Sequence, residues 1–154
     1  KMPEFKPSKV DLVERAGVAV NLFVDMPNVK VHLKHDKAQI LVYADREQLN
    51  QVFNNLIKNA IQAIPKDKKG LVVVDILQEK NFAKVKIIDN GKGISAASRE
   101  KLFEPNFTTK SSGMGLGLAI AKKILINAGG DIWFETLENR GTTFYFTLPL
   151  YKNE

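Results

Sequence analysis

At 154 residues, 44% of them hydrophobic and 26% charged, the chain is long enough to bury an ordinary core and too apolar to be an intrinsically disordered segment. It has no cysteine, which excludes a disulfide framework and a thiolate metal centre. The net charge of +6 comes from lysines scattered singly or in loops such as KDKKG (66–70), with no basic stripe interleaved with aromatics, so charge gives no ground for a nucleic-acid partner.

In chain order, KMPEFKPSK carries two prolines and reads as an extended linker over residues 1–10, the seam to an upstream domain. A domain over 11–150 and a short tail at 151–154 follow. The first helix is predicted near Asp11 to Phe23. VKVHLK (29–34) alternates strictly and QILVYA (39–44) follows a polar turn, which predicts a half-buried hairpin. The strongest helix runs from about Asp45 to Ile64, with Asp45 as N-cap, Gln48 three residues on, and Pro65 after the last apolar residue. LVVVDIL (71–77) and AKVKIID (83–89) are β-branched strands around a polar turn. A short helix near Ala96 to Phe103 and a longer one from about Gly115 to Ala128 come next, the latter closed by Gly129 and Gly130. DIWFETL and TTFYFTL form a terminal hairpin around ENRG. The order does not alternate βαβα, so the expected fold is a two-layer α/β sandwich: a mixed sheet of about five or six strands with about three helices on one face. No apolar run reaches membrane-spanning length, since Lys122 and Lys123 break GLGLAIAKKILI, and the first residues do not read as a signal peptide. A cytoplasmic setting is expected for this piece, with a membrane-anchored parent left open.

In DREQLNQVFNNLIKNAIQAI, Leu49, Val52, Phe53, Leu56, Ala60 and Ile64 share one helical face, as core packing requires. Gln51, Asn55, Asn59 and Gln62 form an amide stripe along its border. Gln51 and Gln62 read as a solvated polar edge. Asparagine is a poor helix former, and two of them one turn apart lower helix stability unless their side chains have another task. Amide oxygens are hard neutral ligands, suited to a Mg²⁺ ion that bridges protein oxygens and substrate phosphates.

Two glycine-rich turns follow. In DNGKGI, Asn90-Gly91 alone is an ordinary turn signal, which leaves unexplained Gly93 and the carboxylate of Asp89 at the end of an apolar strand. A buried carboxylate there accepts a hydrogen bond from an exocyclic amine, which adenine offers at N6 and guanine does not offer at O6. GMGLGLAI sets Gly113, Gly115 and Gly117 at alternate positions before a helix; it lacks a Walker ending, yet its backbone N–H groups and helix N-terminus suit phosphate. FEPNFTTKSS, between the turns, is polar after Phe107 and reads as a lid over a nucleotide. Lys110 there either reaches a terminal phosphate or is a solvated loop lysine.

These residues carry a resemblance. DREQLNQVFNNLIKNAIQAI resembles the N box, DNGKGI the G1 box, KLFEPNFTTK the F box and GMGLGLAI the G2 box of the catalytic, ATP-binding domain of sensor histidine kinases, in the superfamily of gyrase-type, heat-shock chaperone and mismatch-repair ATPases. The match covers roughly 11–150, and the FEPxFTTK wording is most similar to kinases of the nitrogen-regulation sensor type. The resemblance implies the Bergerat fold, with ATP and Mg²⁺ between helices and lid. Asn59 matches the family's Mg²⁺ ligand, with Asn55 beside it; Asp89 matches the adenine-binding acid, with Gly91 and Gly93 shaping that pocket. Gly113, Gly115, Leu116 and Gly117 match the phosphate-binding turn, and Thr142 is expected to help Asp89 hold adenine through water. Phe107, Thr108, Thr109 and Lys110 are implied as nucleotide-binding lid residues, with Asn59 and Lys110 the catalytic candidates. Asn106 departs from the Phe often found there and is given no role.

The superfamily's hydrolases carry a general-base Glu four residues before the Mg²⁺ asparagine, where this chain has Asn55. The resemblance therefore implies a histidine kinase with slow hydrolysis. His35-Asp36 lies in a turn with no helical pattern, and His32 alternates with apolar residues as a solvent-facing strand residue. The phosphoacceptor is thus expected on a separate dimerisation domain of a homodimeric parent, for onward transfer to a response-regulator receiver. A stand-alone hydrolase, a degenerate interaction module and a nucleic-acid binder are the rival readings: the first conflicts with Asn55, the second with four intact boxes, the third with the missing basic groove.

Overall fold

The computed structural model describes residues 4–104 and 117–152. The chain opens with β1 (Ser8–Asp11), which leads straight into α1 (Leu12–Asn21). Asp11 makes that junction: one carboxylate oxygen accepts from Val13 N at 3.0 Å as the helix N-cap and from Ile40 N at 3.2 Å across the fold. β1 pairs antiparallel with β3 (Leu41–Ala44) in a small two-stranded sheet.

The hairpin predicted between 29–34 and 39–44 does not form. β2 (Val29–His35) pairs instead in parallel with β4 (Gly70–Gln78), and β3 belongs to the other sheet. Both strands exist as the alternation required; alternation identifies a half-buried face and does not identify the neighbour. Asp36 helps hold β2 on its distant partner, since its carboxylate accepts from Gln78 N at 3.2 Å and its own N–H donates to Ile76 O at 3.2 Å.

The main sheet adds β5 (Phe82–Asp89), β6 (Asp131–Leu137) and β7 (Gly141–Pro149), in the order β2-β4-β5-β7-β6, parallel only at β2–β4. The mixed five-stranded sheet is borne out. Its register lines up Val74, Ile87 and Phe144, then Ile76, Val85 and Phe146, all buried on one face. Helices α1, α2 (Arg46–Gln62) and α4 (Gly117–Asn127) cover that face: α1 on β2 and β4, α2 on β4 and β5, α4 on β6 and β7. The short α3 (Ala96–Arg99), N-capped by Ser95, lies between β5 and α4 in sequence.

α2 behaves as its periodicity dictates. Asp45 Oδ1 accepts from Glu47 N at 3.0 Å and Gln48 N at 3.1 Å, and its Oδ2 accepts from Lys6 N at 2.8 Å. Every apolar residue predicted on its inner face is buried, and the Phe53 ring meets Phe146 edge-on at 5.5 Å between centroids. α4 ends as its two glycines predict, with Gly130 N donating to Leu125 O at 2.8 Å and Gly129 N to Ile126 O at 3.0 Å. Among the described residues, no helix is long and apolar enough to cross a membrane.

Candidate functional site

A cleft of about 340 Å³ opens where α2, the end of β5 and the β6–β7 turn meet. Asn59 from α2, Asp89 and Gly93 from the first glycine turn, and Thr142 from β7 all line it. Residues far apart in sequence thus converge because Asp89 and Thr142 are directly paired across β5 and β7, and α2 packs on β5 beside them.

Asp89 is 6% exposed, a carboxylate held at the end of an apolar strand as the sequence predicted. Its Oδ1 accepts from Gly91 N at 2.8 Å and from Thr142 N at 3.3 Å, which fixes the plane of the group and satisfies two N–H donors at the rim of the sheet. The turn beyond it is not a hairpin, since β5 lies between β4 and β7 in the sheet and the turn leads into α3. It docks instead on the end of α2, where Lys92 N donates to Ala63 O at 2.9 Å. A β-carbon on Gly91 would lie 2.6 Å from that same carbonyl oxygen, so only glycine permits the approach. Gly93 has φ +75°, and a β-carbon there would strike the Leu137 carbonyl oxygen of the neighbouring turn. The second glycine, unexplained by a plain turn, is explained by this contact.

The amide stripe divides as expected: Gln51 and Gln62 are exposed, while Asn55 and Asn59 are half-buried. Asn59 faces the cleft. Asn55, one turn earlier, donates from Nδ2 to Gly117 O at 3.3 Å and so ties α2 to the first turn of α4. Phe107, Thr108, Thr109, Lys110, Gly113, Gly115 and Leu116 lie outside the described residues, as does Asn106. No group of three or more His, Cys, Asp or Glu side chains suited to a metal occurs among the described residues. A cation in this cleft would be held by amide oxygens and a ligand's own oxygens, a donor set that fits Mg²⁺ and does not fit zinc. His35 ends β2 with its ring N–H donating to Lys37 O at 2.8 Å, and His32 is exposed on the same strand.

The structure adds residues the sequence did not single out. Leu102 and Phe144 form an apolar wall, with the Phe103 ring edge-on to Phe144 at 6.4 Å. Phe144 was accessible to reasoning, because it lies two residues after Thr142 on the same face of β7. Ser95 and Ser98 line the far side, where Ser95 Oγ accepts from Ser98 N at 3.3 Å. Thr136, opposite Thr142 on β6, bonds both to Thr142 and to the glycine turn. A lone threonine in a strand gives no sequence signal of such a task.

The family model described as histidine kinase-, DNA gyrase B-, and HSP90-like ATPase matches residues 44–152, the part of the chain that builds this cleft. The chain belongs to that family. The sensor protein FixL of Bradyrhizobium diazoefficiens is 37% identical over 139 residues, which are 90% of this chain and 28% of FixL. The solved catalytic domain of histidine kinase ThkA is 34% identical, superimposes with a TM-score of 0.82, and is matched over 96% of both chains. Within the family, the chain is therefore a catalytic, ATP-binding domain of the histidine-kinase group, and the Bergerat fold is borne out. ThkA in complex with the response regulator protein TrrA matches with a TM-score of 0.80 and 30% identity, over 96% of this chain and 42% of that one. The chain spans 18% to 29% of the length of the first curated relatives it matches. Sensor kinases of several kinds match at similar identity, so the nitrogen-regulation subtype expected from FEPxFTTK gains no support.

Proposed function

We propose that this domain binds Mg-ATP in the cleft between α2 and the β6–β7 turn and presents the γ-phosphoryl group to a histidine on a dimerisation domain outside this chain. The observation that carries the proposal is the convergence of Asp89, from a strand end, and Asn59, from a helix face, on one cleft. Asp89 would accept the N6 hydrogen of adenine, with Thr142 beside it and Gly91 and Gly93 shaping the floor. Asn59, with Asn55 next to it, would orient the metal-bridged phosphates. Gly113, Gly115, Leu116 and Gly117 would donate backbone N–H groups to them, while Phe107, Thr108, Thr109 and Lys110 would cover the nucleotide, Lys110 at the terminal phosphate.

Mg²⁺ would supply charge compensation on the phosphates. The rest is positioning: a neutral imidazole nitrogen attacks phosphorus with its own lone pair, the bond to the bridging oxygen breaks, and ADP leaves. Such a nucleophile needs no general base, which agrees with an amide at Asn55 that is already engaged with Gly117 O. The phosphoryl group would pass on to an aspartate of a receiver domain, a partner supported by the response regulator seen on ThkA. The parent is proposed to be a homodimer whose catalytic domain is cytoplasmic.

Calorimetric titration with ADP and GDP in Mg²⁺ tests the reading. Adenine-selective binding is expected, lost in Asp89→Asn, with Asn59→Ala removing the Mg²⁺ dependence. Failure of the chain to bind any adenine nucleotide would overturn it. Incubation with Mg-ATP should leave no phosphohistidine on the isolated chain.

A further inference from the structure

The strongest unassigned feature lies behind the base pocket, at Thr136. Its single hydroxyl meets three groups at once. Ile94 N donates to Thr136 Oγ1 at 2.9 Å, the Gly141 carbonyl lies at 3.2 Å, and Thr142 Oγ1 at 2.9 Å. A hydroxyl has one proton and two lone pairs. The Ile94 N–H takes one lone pair. A carbonyl only accepts, so the Gly141 contact takes the proton. The contact with Thr142 is then a hydrogen bond only if Thr142 donates into the remaining lone pair. If Thr136 donated to Thr142 instead, the Gly141 bond would be given up, and two contacts would be made where three are possible.

The arrangement that satisfies all three spends the only proton of Thr142 away from the ligand. Thr142 is 5% exposed and lines the same cleft as Asp89, which therefore carries two acceptors side by side. We propose that Thr136 is a positioning residue that makes Thr142 an acceptor toward the base, so that selection of a purine bearing a 6-amino group rests on Asp89 and Thr142 together. The inference rests on the nucleotide reading above and deepens it. A 6-oxo purine carries an acceptor at O6 and its hydrogen on N1 instead, whereas a 6-amine, directly or through one water, supplies hydrogens from the 6-position to both groups. Thr136 also holds the glycine turn at Ile94, so the acceptor that fixes the turn and the acceptor that fixes Thr142 are one atom.

The test compares ADP with IDP, which differ at the purine 6-position and in the proton that IDP carries on N1, by calorimetry on the 154-residue chain in Mg²⁺. Thr136→Val keeps the shape and removes the hydroxyl, leaving Thr142 free to turn its proton toward the base. The ratio of IDP to ADP dissociation constants should fall by about three- to ten-fold, the scale of one net hydrogen bond, and Thr136→Ser should restore it. A packing role alone would weaken both nucleotides equally, and an unchanged ratio in Thr136→Val overturns the proposal. Should that variant not fold, Thr142→Val carries the same expectation, and an unchanged ratio there overturns it equally. A wild-type chain that binds neither nucleotide overturns the nucleotide reading itself, and this proposal with it.

Discussion

Gly93→Ala and Gly17→Ala are the same chemical change at two glycines whose surroundings demand opposite outcomes. At Gly93 the backbone sits at φ +75°, where an alanine costs about 1 to 2 kcal/mol. The added carbon would also strike Leu137 O and come within 2.9 Å of the Glu138 α-carbon, both backbone atoms with no side chain to swing aside. Relief requires the β6–β7 turn to move, which stretches the Ile94 N to Thr136 bond of 2.9 Å and the Asn139 N to Lys92 O bond of 2.7 Å. With about 0.5 to 1.5 kcal/mol for each bond weakened, the total comes to about 3 kcal/mol. For a domain of this size that lowers the melting temperature by about 6 to 12 °C. Gly17 lies inside α1, where, among the described residues, a β-carbon would meet only Leu33 Cδ2 at 3.8 Å, an ordinary contact. There alanine gains about 1 kcal/mol of helix propensity and raises the melting temperature by about 2 to 4 °C. Thermal unfolding followed by circular dichroism at one scan rate measures both. A Gly93→Ala chain that melts within about 2 °C of wild type, or a Gly17→Ala chain that is destabilised as much as Gly93→Ala, would refute the reasoning.

Asp45→Ala removes the cap of α2 and the acceptor of Lys6 N, and should lower stability by about 1 to 2 kcal/mol in urea unfolding, with Asp45→Asn retaining most of it. Phe53→Ala empties a site at the centre of the core against Phe146 and should cost about 3 to 5 kcal/mol by the same assay. Tyr145 donates its hydroxyl to Glu135, and that bond, with burial and the carboxylate charge behind it, raises the phenol above its ordinary value of 10.0. A raised folded value means that the contribution is present below about pH 10 and is lost as pH rises through the higher folded value. Urea midpoints of wild type should therefore fall more steeply than those of Tyr145→Phe above about pH 10, and parallel profiles would refute the linkage.

The parts of the fold that were legible in the sequence are those set by local rules. α2 followed from its apolar period, from the oxygen of Asp45 and from Pro65. The β6–β7 hairpin followed from its short turn, and β4 and β5 were read as two strands flanking a polar turn, which the structure pairs antiparallel. What misled was partnership. Val29, Val31 and Leu33 read correctly as a half-buried face, but their neighbour is β4, reached through the whole of α2, and nothing in seven residues encodes that choice. β1 was hidden because SKVD is too short to show alternation and follows a proline. In the site, Asp89, Gly91 and Gly93 stood out because each violates an ordinary expectation: a carboxylate ending an apolar strand, and glycines more numerous than a turn needs. Leu102, Phe144 and Thr136 did not stand out, because a leucine, a phenylalanine and a strand threonine each satisfy an ordinary one.

That contrast bears on how the cleft is built. α2 carries the core face and the amide stripe on the same cylinder, so the depth at which Asn55 and Asn59 sit is set by how Val52, Phe53 and Leu56 seat against the sheet. The last turn of α2 ends on the Ala63 carbonyl that receives Lys92 N, and the first turn of α4 meets Asn55 through Gly117 O. One helix therefore touches the Asp89 side of the cleft at its C-terminal end and the start of the second glycine helix at its middle. A core change beneath α2 that leaves the chain folded shifts both contacts together. Phe53→Leu is expected to loosen nucleotide binding by several-fold with a modest loss of stability, although Phe53 touches no ligand, as a packing change under a rigid element requires. Binding that stays unchanged while stability falls would mean that Asn59 and Asp89 are positioned by the glycine turn alone, independently of the core beneath them.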